Sequence, residues 1–467
     1  MKRNVYIGAA FVALIAMLAV ASLVLDRKTV VQAATVQIPR LEVDPMWPKP
    51  LPNHWIMGNV IGVSADSHDH IWIIHRGGFA VDGVYEGSLE AKEVYAVPGW
   101  NGRKDSAPGS DCCVPAPPVL EFDQEGNLLN HWGGPEDAAK GGFVWPASNH
   151  GITADNKGNV WIGGNGADAA APAGARGGGR GAAAAPARGA TPGAPGAPID
   201  ESAAPRGGRG RGGPPMYHDS MIIKFTEAGK FLMQIGHSGQ SKGNTDIDNL
   251  GLPAKIFVDA KANEIYVADG YGNHRVIVFD ADTGKYKRMW GAYGKVPDDM
   301  RLGPYQPSEP PAQVFRNPVH CADVSHDDLV YVCDRSNDRM QVFKTDGTFV
   351  KEKVFYKNTL GDGSVWDIAF SKDPQQKFIY MADGSNEKVR ILDRDSLEEL
   401  ASFGDGGRQP GEFYAVHSIA TDSKGNVYTT ETYRGQRVQK FVFKGLGPKT
   451  KQDEGVLWPK TAKSPLQ

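Results

Sequence analysis

HGITADNKGNVWIGGNG, residues 150–166, and HSIATDSKGNVYTTETY, residues 417–433, share one pattern. A short apolar run leads into an Asp-rich turn with a Gly-Asn step, and a β-branched run follows. Alternating apolar runs joined by such turns are hairpin chemistry. Four more segments read the same way: IGVSADSHDHIWIIHRG from Ile61, AKIFVDAKANEIYVADG from Ala254, HCADVSHDDLVYVCDRS from His320 and WDIAFSKDPQQKFIYMADG from Trp366. Each continues into a third run, such as RVIVFDADTGKYKRMWG from Arg275 or RMQVFKTDGTFVKEKVF from Arg339. Between His320, Trp366 and His417 the period is about 46–51 residues, the length of a propeller blade of four short strands. No unit of this size buries both of its faces, whereas stacking around an axis does. The expected fold is all-β, a six-bladed β-propeller over residues 58–445.

Aligned at their first residue, the six inner strands begin with Ile61, His150, Ala254, His320, Trp366 and His417. Histidines occupy blades two, four and six. The innermost strand of a blade lines the channel, so His150, His320 and His417 are expected to converge on the axis from three directions. Three neutral imidazoles with an open fourth position make a catalytic zinc site. A lone strand histidine is usually structural; three at one register on alternate blades are not easily accidental.

The second strands end in His75-Arg76-Gly77, Asp269-Gly270-Tyr271, Asp334-Arg335-Ser336, Asp383-Gly384 and Glu431-Thr432. These turns are expected to rim the same end of the channel. Arg76 and Arg335 can take a substrate carboxylate bidentately. Tyr271 becomes a base if its pKa, ordinarily about 10, falls beside a metal and a guanidinium. The plainer expectation is that these acidic residues hold the turns and pair with arginines. That reading suits Asp383, and Arg339 and Arg437 on the third strands.

At these residues the chain resembles NHL propellers, and its motifs are similar to those of peptidyl-α-hydroxyglycine α-amidating lyase. The resemblance covers the ring from about residue 58 to 444. It implies a zinc ion held by His150, His320 and His417, a catalytic Tyr271 in the VADGY turn, and two active-site arginines, Arg76 and Arg335. It also implies a structural calcium on the backbone carbonyls of Val63 and Ile152, with a carboxylate directly after the third histidine. That residue is Ser418 here, and a hydroxyl is a weak substitute. The family's cysteine beside the catalytic tyrosine is Gly272. The expected activity is cleavage of the C–N bond in peptidyl or N-acyl α-hydroxyglycine-like compounds to an amide and glyoxylate, on a small or peptide substrate carrying a carboxylate. A metal-dependent lactonase-type hydrolase and a binding propeller without catalysis are the other readings of such a ring.

Lys2 and Arg3 precede an apolar run over residues 5–25, which suits either a cleaved signal within 1–34 or a retained membrane anchor. Either one implies an extracytoplasmic body, periplasmic or secreted. Residues 35–57 are expected to pack on the ring or help to close it, and 446–467 to form a tail. Two insertions interrupt the repeat. Residues 79–118 carry the adjacent Cys112 and Cys113; residues 167–215 are Ala, Gly, Pro and Arg, too poor in apolar surface to order themselves. Cys321 and Cys333 flank a hairpin turn and can pair across it or remain thiols; disulfides suit an exported protein. The net charge of −3 argues against nucleic acid as a partner. Nothing in the sequence points to an oligomer, so a monomer is expected.

Overall fold

In the computed structural model the described residues are Met17, 36–76, 114–166, 218–300, 302–433 and 435–459, together with the backbone of the short strands Ala80–Val81 and Val84–Tyr85. The apolar run 5–25 (Met17 apart), Cys112, Cys113 and the insertion 167–215 lie outside them. Among the described residues no helix is long and apolar enough to cross a membrane. The one α-helix among them is Pro135–Gly141.

Six four-stranded antiparallel sheets follow one another along the chain. Their inner strands are Asn59–Ala65, Asn149–Ala154, Lys255–Asp259, Val319–Val324, Asp367–Phe370 and Val416–Thr421. Each inner strand meets the next, and the sixth meets the first, so the ring is closed. The seam lies in blade six. Its three inner strands come from the end of the chain, and its outer strand is Gln37–Asp44, antiparallel to Arg437–Pro448. The N-terminal segment therefore completes a sheet, and the last strand runs past residue 445. Closure of this kind removes two exposed strand edges at once.

The core is divided among the joints of the ring. Six apolar clusters lie one between each neighbouring pair of blades. Trp72, Trp161, Tyr266, Tyr331, Tyr380 and Tyr428, at matching second-strand positions, are all buried. Truncating one of the tryptophans to alanine is expected to cost about 3–5 kcal/mol.

The Asp-rich turns have a single cause. Asp155 Oδ1 accepts the backbone N–H groups of Lys157 and Asn159, while Oδ2 accepts Trp161 Nε1–H at 3.1 Å. Asp66 does the same for His68, His70 and Trp72, and Asp422 for Lys424, Asn426 and the Tyr428 hydroxyl. One carboxylate thus closes the hairpin and anchors the buried ring that follows it. At the opposite strand ends Arg275, Arg339, Arg390 and Arg437 pair with Asp269, Asp334, Asp383 and Glu431. These are the structural pairs expected for Asp383, Arg339 and Arg437.

Candidate metal centre

His150, His320 and His417 converge. Their rings stand 4.8–5.1 Å apart between centroids, and one ligand nitrogen from each lies within 4.8 Å of the other two. All three are buried. Pairing with the second strand slips at each of them: between Asn149 and Ile152, between Val319 and Cys321, and between Val416 and Ile419. Bulges of this kind turn one side chain away from the regular alternation. Among the blades without the histidine, the pairing is regular in blades three and five and slips in blade one between Val60 and Gly62.

A second relationship sets the tautomers. His150 Nδ1–H donates to the carbonyl of Ala254 at 2.7 Å, His320 Nδ1–H to that of Trp366 at 2.5 Å, and His417 Nδ1–H to that of Ile61 at 2.8 Å. The acceptors are the aligned first residues of the three blades without a histidine. Each odd blade therefore fixes the imidazole of the blade before it. Nδ1 carries the proton and Nε2 turns its lone pair to the axis, as an outer carbonyl does behind a metal-bound histidine. Gly151 permits the approach, because a Cβ there would stand 2.6 Å from the Ala254 oxygen.

The imidazoles are held neutral. Burial lowers all three, with the neighbouring positive charges adding to it. His417 falls to about 3, through burial first and then Arg335 and Arg76. His150 and His320 lie well below the ordinary value, through burial first, then His417, and then Arg76 for His150 and Arg335 for His320. His417 Nε2 is buried and has no hydrogen-bond partner among the described residues. The Tyr271 hydroxyl lies 2.9 Å from His150 Nε2 and 3.1 Å from His320 Nε2. One phenol proton cannot serve two acceptor nitrogens. Lone pairs crowded together in this way fit a cation, and three neutral imidazoles with room for a fourth ligand suit zinc.

Tyr271 reaches this point because Gly270 lies against the backbone of Val319, where a Cβ would stand 2.0 Å from the carbonyl oxygen. The Asn317 amide also donates to the carbonyls of Gly270, Tyr271 and Asn273, pinning the turn. Arg335 is fully buried, with its guanidinium 4.4 Å from the Trp366 ring centre and Nη1 3.4 Å from the Tyr271 hydroxyl. Arg76 donates from Nε to the Asn149 carbonyl at 2.9 Å and from Nη2 to Asn165 Oδ1 at 2.7 Å. Both guanidiniums act on the histidines electrostatically. His75, beside Arg76, is structural: its ring accepts Gly58 N–H and donates to Pro117, and burial lowers it to about 4.

Three participants were not legible as such. Asp362 takes Arg335 Nη2 at 3.3 Å on one oxygen and the Tyr433 hydroxyl at 3.0 Å on the other. Trp366 was aligned but without a role; it is the surface on which Arg335 lies. Asp362 and Tyr433 sit in turns of different blades, and only the Asp-Gly step at Asp362 marks it in the sequence.

The ring carries an NHL repeat. Residues 250–279, which hold Tyr271, match that family. Peptidylglycine alpha-amidating monooxygenase of Rattus norvegicus is 23% identical over 392 residues, covering 83% of this chain and 30% of its own length. Peptidyl-glycine alpha-amidating monooxygenase of Mus musculus is 23% identical over 430 residues, covering 87% and 34%. The chain thus spans about a third of the length of these curated relatives. The ring is also similar to a solved Bacteroides thetaiotaomicron protein of unknown function, with TM-score 0.44, 11% identity and coverage of 88% and 77%. Streptogramin B lyase gives TM-score 0.41, 10% identity and coverage of 87% and 98%. Neither of these two structural likenesses bears on function.

Proposed function

We propose that this NHL ring is a zinc-dependent lyase that splits the C–N bond of peptidyl or N-acyl α-hydroxyglycine-like substrates into an amide and glyoxylate. The observation that carries the reading is the convergence of three histidine nitrogens within 4.8 Å of one another, two of them against the Tyr271 hydroxyl. Weak similarity to amidating enzymes over most of the chain supports it.

Zinc held by His150, His320 and His417 would supply Lewis acidity toward the substrate hydroxyl. Tyr271 takes the hydroxyl proton. The C–O bond becomes the aldehyde of glyoxylate as the C–N bond breaks, and the proton on Tyr271 returns to the departing amide nitrogen. No water is consumed. Arg335, against the tyrosine oxygen, stabilises negative charge there. Arg76 is the second guanidinium near the axis and takes the substrate carboxylate. The proposed setting is extracytoplasmic.

The direct assay is glyoxylate release from a synthetic N-acyl α-hydroxyglycine by zinc-loaded protein. Release that chelator and His320→Ala both abolish is the expected result. Zinc-loaded protein that releases none from any such compound would overturn the assignment.

A further inference from the structure

Against the three histidines lies a small space of about 10 Å³, lined also by Ile152, Lys255, Asp367 and Ser418. The family resemblance places calcium on this axis, with Val63, Ile152 and the residue after the third histidine as its ligands. The Lys255 ammonium, both Asp367 oxygens and the Ser418 hydroxyl are already engaged, while Asp323 Oδ1 is buried without a hydrogen-bond partner among the described residues. Lys255 Nζ donates to Asp367 Oδ1 at 2.6 Å, to Asp323 Oδ2 at 2.8 Å and to the Ile368 carbonyl at 3.2 Å. Ser418 gives its hydroxyl hydrogen to Asp367 Oδ2 at 2.7 Å, and Ile419 N–H points to the same oxygen at 3.1 Å. Val63 packs its side chain between blades one and six.

Calcium takes six to eight oxygens at about 2.3–2.6 Å. Asp323 and Asp367 share the one Lys255 ammonium, and a divalent ion beside them would stand against a like charge. Cys321, the third potential donor beside Asp323 and Asp367, is bound to Cys333. The donor set does not fit calcium.

We infer that Lys255 is the built-in cation of this channel, joining the inner strands of blades three, four and five directly and blade six through Asp367. The side chains are nearly enclosed: Asp323 and Asp367 are buried, and Lys255 is 16% exposed. Ser418, adjoining His417, ends the chain of contacts, so the clamp also steadies the floor of the metal centre. The inference does not depend on the lyase reading.

The test is thermal melting of the full chain with increasing calcium chloride, with elemental analysis of calcium and zinc in the same purified sample. The expected wild type carries no stoichiometric calcium, and its melting temperature does not move with calcium. Lys255→Ala melts lower, because two carboxylates lose their counter-ion. If that variant does not fold, Asp367→Asn replaces it and is also expected to melt lower. One bound calcium per wild-type chain, or a wild-type melting temperature that climbs with calcium, overturns the inference. So does a Lys255→Ala or Asp367→Asn protein as stable as the parent. Zinc is counted separately, so failure of the zinc reading would leave the calcium result standing.

Discussion

His150 gives its Nδ1 hydrogen to the carbonyl of Ala254, 2.7 Å away, and Ala254 holds the same inner-strand position one blade further on. The relation repeats from His320 to Trp366 and from His417 to Ile61. Ring closure is therefore a condition for the chemistry as well as for stability. A histidine on an isolated blade would have the right residue but no carbonyl to orient it.

That arrangement predicts the behaviour of the metal. His417→Ala is expected to purify without stoichiometric zinc, and to lose activity with it, while its circular dichroism stays that of a β-ring. Tight zinc in the variant at the wild-type level would show that the ion sits elsewhere.

Zinc binding should also resist acid. An ordinary imidazole loses its lone pair to a proton as pH falls through about 6.5. Here His417 is held down to about 3, and His150 and His320 well below the ordinary value. A depressed pKa keeps the neutral form present above it, so proton competition begins only far below 6.5. Zinc affinity measured by competitive chelation is expected to change little between pH 7 and pH 5.5. A steep fall centred on the ordinary value would contradict neutral, buried ligands.

Tyr271→Phe removes only the hydroxyl that meets His150 and His320. Turnover of a hydroxyglycine substrate is expected to drop by about 10²–10⁴-fold, the usual contribution of a positioned acid–base group. Zinc content should remain that of the wild type. Full activity in the variant would remove the tyrosine from the mechanism.

Asp362→Asn keeps the size of the side chain and removes the charge that holds Arg335 and accepts from Tyr433. Misplacing a guanidinium by a fraction of its length is expected to lower kcat/KM by as much as about 10²-fold. The melting temperature should move little, which separates positioning from folding. Equal kinetics in both proteins would make Asp362 a bystander.

Glu387 offers a pH test of stability. Its Oε2 accepts Ala415 N–H at 2.7 Å, yet burial first, with Glu431 adding to it, raises its carboxyl to about 8. A pKa raised on folding means the folded state holds the proton more tightly. The resulting stabilisation is complete below the ordinary 4.5 and is lost as pH rises through about 8. Glu387→Gln should therefore gain on the wild type, in denaturant midpoint, as pH climbs across that window. A constant difference between the two would refute the shift.

Much of this was open to reading in the chain. Trp161 and Tyr428 occupy one place in two second strands, and alternation of apolar residues is a local property. Six repeats of that alternation were enough to expect a ring, and the register of His150, His320 and His417 was enough to expect their meeting. The pairing of Cys321 with Cys333, left open by the sequence, is formed: the two face each other across the hairpin. Asp362 was passed over because its partners, Arg335 and Tyr433, come from distant turns.

The amino-acid order by itself determined the blades, their Asp-held turns and which strands carry an imidazole, because strand periodicity and turn chemistry act over a few neighbouring residues. Only the closed ring decided the rest. The carbonyl that receives each Nδ1–H and the Lys255 ammonium shared by Asp323 and Asp367 depend on different blades approaching within hydrogen-bond reach. His417 and Ile61 stand 356 residues apart, and no local rule connects them until the sixth blade meets the first.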